Sequence, residues 1–236
     1  MWPFTNQQTL PRAGTLQGFT DWHCHLLPGV DDGVQTLAQC LRVLQRYEEL
    51  GVSTVWFTPH IMEDMPNTPE QLQRVFDEVR AAYRGSISLH LAAEHMLDPL
   101  FAKRLQEGRV MPIGTAGDTL LVETSYFNPP HALDLRLNAI RQAGYHPLLA
   151  HPERYLYMEG RDYDRLRQLG VKFQLNLSSL AGIYGKAVKL KAQRLLQKGY
   201  YDCVGTDLHR DTALQALLRA KVPAKLLRAL PLHREP

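Results

Sequence analysis

Two histidines one residue apart, in Asp21-Trp22-His23-Cys24-His25, are followed by two acids and a glycine at Asp31-Asp32-Gly33. Side chains on an extended segment alternate with period two, so His23 and His25 point to one side and Cys24 to the other. Two imidazoles so placed can hold one metal ion between them. With ten histidines in 236 residues, a close pair arises readily by chance. What sets this pair apart is a series of further histidines and acids at corresponding places along the chain.

Those places are the ends of apolar runs. Leu16 to Trp22 leads into the histidine pair, and the turn signal Pro28-Gly29 follows it. Thr54 to Thr58 reads as a buried strand that delivers Pro59-His60; Ile87 to Ala93 ends in Glu94, and Leu120 to Val122 ends in Glu123. Pro147 to Ala150 runs into His151-Pro152-Glu153-Arg154-Tyr155, Lys172 to Leu177 forms a sixth strand, and Cys203 to Thr206 leads into Asp207-Leu208-His209. Helical spacing fills the intervals: Leu37, Cys40, Leu41, Leu44 and Tyr47 closed by Gly51; a start at Thr68-Pro69-Glu70; Pro99 to Glu107; Leu133, Leu137 and Ile140 closed by Gly144; Asp162 to Leu169; and the basic stretch Lys186 to Lys198.

Seven strands alternating with helices, with no linker-like break, imply an α/β fold with a parallel sheet in one domain over residues 1–236, residues 1–18 being an N-terminal extension. A closed, irregular barrel is expected over an open doubly wound sheet, because candidate ligands end nearly every strand rather than one switch point. On one face of such a barrel His23, His25, Asp32, His60, Glu94, Glu123, His151, Asp207 and His209 gather. Clustered acids need cations, and mixed imidazole and carboxylate donors without thiolates suit zinc, manganese or iron(II). Nine donors exceed the need of one ion. Two ions about 3.5–4 Å apart can clamp a phosphate and lower the pKa of water from about 15.7 towards about 7, so that a metal-bound hydroxide is the expected nucleophile. The positive surplus of such a centre attracts an anionic substrate, which favours phosphoryl over acyl chemistry.

A net charge of +3 is too small to indicate nucleic acid, and no apolar run approaches the roughly 18 residues of a membrane span. Met1 to Gly18 shows no export signal, and three cysteines without zinc-type spacing do not suggest disulfides, so a reducing, cytoplasmic setting is expected. Cys40 and Arg46 match the bare Cys-x5-Arg spacing of thiol phosphatases. They fall on one helix, however, with no glycine-bearing loop of N–H groups to cradle phosphate, so Cys40 is read as core. His90, His95, His131, His146 and His233 are read as structural or exposed, and Lys186, Lys189, Lys191, Arg194 and Lys198 as a solvated helix face.

The segments 21–33, Thr58-Pro59-His60, Ala93-Glu94, Val122-Glu123, His151 to Tyr155, Phe173-Gln174-Leu175-Asn176 and Asp207-Leu208-His209 resemble, in order, the PHP (polymerase and histidinol phosphatase) phosphoesterases. The closer resemblance is to their capsule-biosynthesis branch of bacterial protein-tyrosine phosphatases, and it spans Gly18 to about Leu208. It implies a distorted (β/α)7 barrel of TIM-like type with the site at the C-terminal strand ends, and three divalent ions, manganese favoured. The reaction implied is hydrolysis of phosphotyrosine on a capsule-assembly tyrosine kinase.

By motif, the resemblance places one ion on His23, His25, Glu94 and Asp207, a second on bridging Glu94 with Glu123 and His151, and a third on Asp32, His60 and His209. Arg154 looks like a phosphate-orienting arginine, and Arg154, Asp207 and His209 form the implied catalytic set. The chain departs from the family at Ile61, where a second histidine is common, at Arg210-Asp211 in place of asparagine, and at Leu214, where an arginine is often found. Rival expectations are a small-molecule phosphatase for histidinol phosphate or a sugar phosphate, a phosphotyrosine-binding adaptor without turnover, and a metal-dependent amidohydrolase. The last has no need of the extra pair Asp32 and His209.

Overall fold

The computed structural model describes residues 6–232 and 234–236; His233 lies outside them. After β1 (Gln7–Gln8) the chain runs β2 (Thr20–Cys24), α1 (Leu37–Glu49), β3 (Thr54–Phe57), β4 (His60–Ile61), α2 (Pro69–Ala82), β5 (Ser88–Leu91), β6 (Glu94–Met96), α3 (Phe101–Gln106) and β7 (Thr119–Glu123). Then come α4 (Leu133–Gln142), β8 (His146–Ala150), a 3-10 turn (Pro152–Arg154), α5 (Gly160–Gln168), β9 (Lys172–Asn176), α6 (Leu177–Ala181), α7 (Lys186–Gln197), β10 (Cys203–Gly205), α8 (Asp211–Arg219), β11 (Val222–Pro223) and α9 (Ala224–Leu227). Local chemistry sets several starts. Thr36 and Gln39 form a capping box on α1, and the Thr68 hydroxyl accepts from Gln71 N–H while Pro69 occupies the first turn of α2.

The strands make a mixed α/β fold around a curled parallel sheet. Six strands pair in the order β10-β9-β8-β7-β6-β4 and three in the order β2-β3-β5. The chain itself passes from one group to the other between β3 and β4 and between β5 and β6, where Ala92 N–H donates to the Phe57 carbonyl at 2.9 Å and Glu94 N–H to that of Pro59 at 3.0 Å; on the other side Asp207 N–H donates to the His23 carbonyl at 2.7 Å and His25 N–H to that of Leu208 at 2.9 Å, linking the end of β10 to β2. The expected strand from Ile87 to Ala93 is in fact interrupted, and Glu94 opens β6 rather than closing the run. Beside the break lies Pro59, which has no N–H to give to a ladder, and the neighbouring strand breaks at the same level.

Apolar side chains form two clusters. The larger lies between sheet and helices and includes Cys24, Val55, Phe57, Val122, Leu149 and Val204; the smaller joins Trp22, Trp56, Leu121, Leu148, Ala150 and Cys203 from the strands to Ala92 and Ile113 outside them. A register shift between Asp21 and Cys24 turns Trp22 into the smaller cluster without disturbing the His23/His25 alternation. Residues 7–18 are more than an extension: β1 pairs antiparallel with β11, and Leu10 and Leu16 are buried. Their register depends on a partner more than two hundred residues away, which local pattern does not signal. Among the described residues no helix is long and apolar enough to cross a membrane.

Candidate metal centre

All nine candidate ligands meet at one end of the parallel sheet, beyond the C-terminal ends of β2, β3, β5, β8 and β10 and at that of β7. β2 presents His23, with His25 just beyond it; β4 and β6 open with His60 and Glu94; β7 closes with Glu123; His151 follows β8, and Asp207 and His209 follow β10. Their donor atoms fall into four groups, each within 4.8 Å: His25, Asp32, His60 and His209; His23, His25 and Asp207; His23, Glu94 and His151; and His60, Glu94 and Glu123. All are buried except His209, which is half-buried, and Asp32, whose side chain is exposed at the mouth. Two close approaches run between the implied groups as well as within them. Glu123 faces His60 Nδ1 at 3.1 Å, and His151 Nε2 faces Glu94 Oε1 at 3.0 Å next to His23.

Hydrogen bonds to Nδ1 fix which nitrogen three of the imidazoles present. His23 Nδ1 is held by Gln174 Oε1 at 3.0 Å and His25 Nδ1 by Asp31 Oδ2 at 2.8 Å, leaving the two Nε2 atoms 3.1 Å apart and turned towards Glu94 and Asp207. His209 Nδ1 bonds the Asp207 carbonyl, so its Nε2 faces Asp32 at 3.4 Å. Glycines allow the close approach behind these rings. A Cβ on Gly33 would collide with the His25 backbone, and one on Gly205 with the His23 side chain.

His151 and Asp207 take positive φ, 35° and 52°, which only one other non-glycine residue, Ala132, does among the described residues. Such strain costs about 1–3 kcal/mol and persists where the surroundings impose it.

The donor set fits divalent cations. Burial alone would push His23, His25 and His60 towards neutrality, yet the surrounding acids win: Glu94 and Asp207 raise His23, Asp31 raises His25, and Glu123 and Glu94 take His60 up to about 10. Glu94 and Asp207 are correspondingly held below the usual carboxylate range by the imidazoles, against burial. Among the described residues four buried ligand atoms of the cluster, His60 Nδ1, Glu94 Oε2, Glu123 Oε1 and His151 Nδ1, make no well-aligned hydrogen bond, although His60 Nδ1 lies 3.1 Å from both carboxylates. Unpartnered buried donors beside acids are the signature expected of a cation site.

Arg154, at the end of the 3-10 turn, does not pair with its neighbour Glu153. Its Nη1 meets Asp207 Oδ2 at 2.6 Å, and Glu153 is buried, accepting from Asn176 N–H and the Tyr201 hydroxyl. A cavity of about 670 Å³ opens over the cluster, lined by Asp32, His60, Glu123, Arg154, Asp207 and His209 among others. Ile61 and Leu214 are buried apolar residues, while Arg210 is exposed on the cavity rim.

The sequence offers no role for Asp31, Gln174 or Asn176; period-two alternation along β9 places the latter two on one face and was the available signal. Lys191 is not merely solvated: its ammonium donates to the Tyr155 and Met158 carbonyls and ties down the chain that follows Arg154. Asp31 also accepts from the N–H groups of Gly33 and His60. Asp31→Asn is therefore expected to weaken metal binding by about 10–100-fold, the usual loss for an outer partner of a ligand, with the fold retained. Titration of the metal-stripped variant measures this, and wild-type affinity would refute the role.

The chain is similar to known proteins over most of its length. Tyrosine-protein phosphatase YwqE of Bacillus subtilis is 26% identical over 195 residues, 80% of this chain and 76% of the relative. Tyrosine-protein phosphatase CpsB of Streptococcus pneumoniae is 26% identical over 209 residues, 80% of this chain and 82% of the relative. A solved structure from work on YwqE and CpsB, described as unique metal-dependent tyrosine phosphatases, shares the fold with a TM-score of 0.75 at 23% identity, covering 92% of this chain and 97% of that one. The profile for capsular polysaccharide synthesis, CpsB/CapC, matches residues 19–221, a span that holds every residue of the cluster, and the chain belongs to that family.

Proposed function

We propose that this protein is a metal-dependent protein-tyrosine phosphatase that hydrolyses phosphotyrosine on a tyrosine kinase controlling capsular or exopolysaccharide synthesis in the cytoplasm. The observation that carries this is the convergence of nine imidazole and carboxylate side chains, four with unpartnered buried atoms, beneath a cavity that also presents the Arg154 guanidinium. Membership of the CpsB/CapC family supports the substrate class. We read the whole chain as one domain and the curled sheet as a distorted seven-stranded barrel, supported by the bonds from Asp207 N–H to His23 and from His25 N–H to Leu208, which link the end of β10 to β2.

Three divalent ions, manganese favoured, would be held by His23, His25, Glu94 and Asp207, by Glu94, Glu123 and His151, and by Asp32, His60 and His209. When bound they would polarise the phosphoryl group and make water a competent nucleophile at neutral pH. Arg154 would bind two phosphoryl oxygens at once through its planar fork, and Asp207, which accepts one edge of that fork, sets where the other edge can reach. The chain's thiols take no part. Cys24 and Cys40 are buried, and burial raises both, Cys40 to about 12, so neither offers a thiolate. Cys24→Ser and Cys40→Ser are expected to keep most activity with metal content unchanged; inactivity of either with its metals in place would contradict this mechanism.

Assay of a substrate panel tests the proposal. A phosphotyrosine peptide should show the highest kcat/KM, above histidinol phosphate and sugar phosphates. A small-molecule ester in first place would overturn the substrate, and no turnover of any ester, with metals bound, would leave a binding protein instead.

A further inference from the structure

Arg154 is held by more than its ion pair. Its Cζ lies 4.3 Å from the centre of the Tyr126 ring and 4.2 Å from that of Tyr184, so two aromatic rings flank one guanidinium. Among the described residues its only side-chain hydrogen-bond partner is Asp207, which leaves guanidinium N–H groups free towards the cavity that Tyr126 and Tyr184 also line. Burial works against the charge of Arg154, but the Asp207 carboxylate outweighs it, so the group stays cationic.

The two rings are anchored differently. Tyr126 follows β7, packs on Tyr155 and His151 with ring centres 6.0 and 5.6 Å away, and its carbonyl accepts from Leu156 N–H. Tyr184 lies in the loop between α6 and α7, bracketed by Gly182 and Gly185, each with φ near +90°. Left-handed φ at both positions is what lets so short a loop bring the ring back over Arg154, since a β-carbon there would be strained. A free arginine samples many rotamers, and flanking rings remove that freedom while leaving the in-plane N–H groups available for hydrogen bonds.

We propose that Tyr126 and Tyr184 are positioning residues that clamp the Arg154 guanidinium in reach of the phosphoryl group. This rests on the phosphatase reading above and on Arg154 meeting the phosphate. Neither tyrosine is needed for metal binding, and each acts through its ring, so the hydroxyl is dispensable.

The test is a double-mutant cycle on the full-length, metal-loaded enzyme with a phosphotyrosine peptide, inorganic phosphate serving as competitive inhibitor. Tyr184→Leu is expected to lower kcat/KM and weaken phosphate inhibition by roughly fivefold to tenfold, with metal content and unfolding midpoint unchanged. Tyr184→Phe should stay within about twofold of wild type, because the ring remains. In the Arg154→Ala background Tyr184→Leu should cost nothing further, the mark of two residues acting as a unit. Tyr126→Phe and Tyr126→Leu provide the same comparison from the other side of the guanidinium. A silent Tyr184→Leu beside an impaired Arg154→Ala would overturn the clamp alone. So would a Tyr184→Leu loss that persists in full without Arg154, or one accompanied by loss of metal. A silent Arg154→Ala would instead overturn the assignment of that residue to phosphate, and the clamp with it.

Discussion

Glu94→Gln should cost the protein about one equivalent of metal or more and lower turnover by more than about a hundredfold, beyond the range for losing an outer partner of a ligand. Glu94 is fully buried and touches four imidazoles. Its Oε1 lies 3.0 Å from His151 Nε2, and its Oε2 lies 3.3, 3.4 and 3.1 Å from His23, His25 and His60. No other acid of the cluster reaches as many, so its charge holds together donors that the proposal assigns to different ions. Glutamine keeps the volume but replaces one acceptor oxygen by a donor NH2, which cannot bridge cations. The apolar clusters are untouched, so the variant should remain folded. Glu123→Gln is the control: it meets His60 at 3.1 Å and should lose less metal. Metal analysis and phosphotyrosine hydrolysis on the two proteins decide the matter, and a fully metallated, active Glu94→Gln would move the centre of the site elsewhere.

Arg154→Ala should lower kcat/KM by about tenfold or more, on the order of 1.4 kcal/mol of transition-state stabilisation, without releasing metal. Removal also leaves Asp207 without the partner that meets it at 2.6 Å, yet Asp207 keeps the Asn176 amide at 2.8 Å and its neighbouring imidazoles, so the carboxylate stays in place. Arg154→Lys should recover little. An ammonium has no planar fork to bind two phosphate oxygens, and it stacks less well between Tyr126 and Tyr184. Steady-state kinetics with matched metal content measures the effect; wild-type kcat/KM in the alanine variant would remove Arg154 from the site.

The parallel strands, the helices between them and the nine clustered side chains were legible in the sequence because each leaves a local trace: an apolar run, a cap, a histidine or acid just past the run. What was not legible depends on partners distant in sequence. Asp31 and Asp32 are adjacent and chemically alike. Only the fold shows that Asp31 turns inward to His25 while Asp32 stays at the mouth facing His60 and His209. Gln174 belongs to the site because β9 lies between β8 and β10, which carries its amide to His23 and to His151 N–H. Tyr126 and Tyr184 had no signal of their own, since an aromatic in a loop reads the same whether it meets solvent or a guanidinium. The β1–β11 pair is two residues long on each side, too short for any periodicity to register.

The central claim, that phosphotyrosine hydrolysis depends on metal held by this cluster, is tested most directly by removing and restoring the metal. Purified protein stripped with a chelator should lose activity on a phosphotyrosine peptide while remaining folded by circular dichroism. Titration with manganese should then restore activity in step with binding of more than one equivalent. Undiminished hydrolysis by protein that elemental analysis shows to be metal-free would contradict the account.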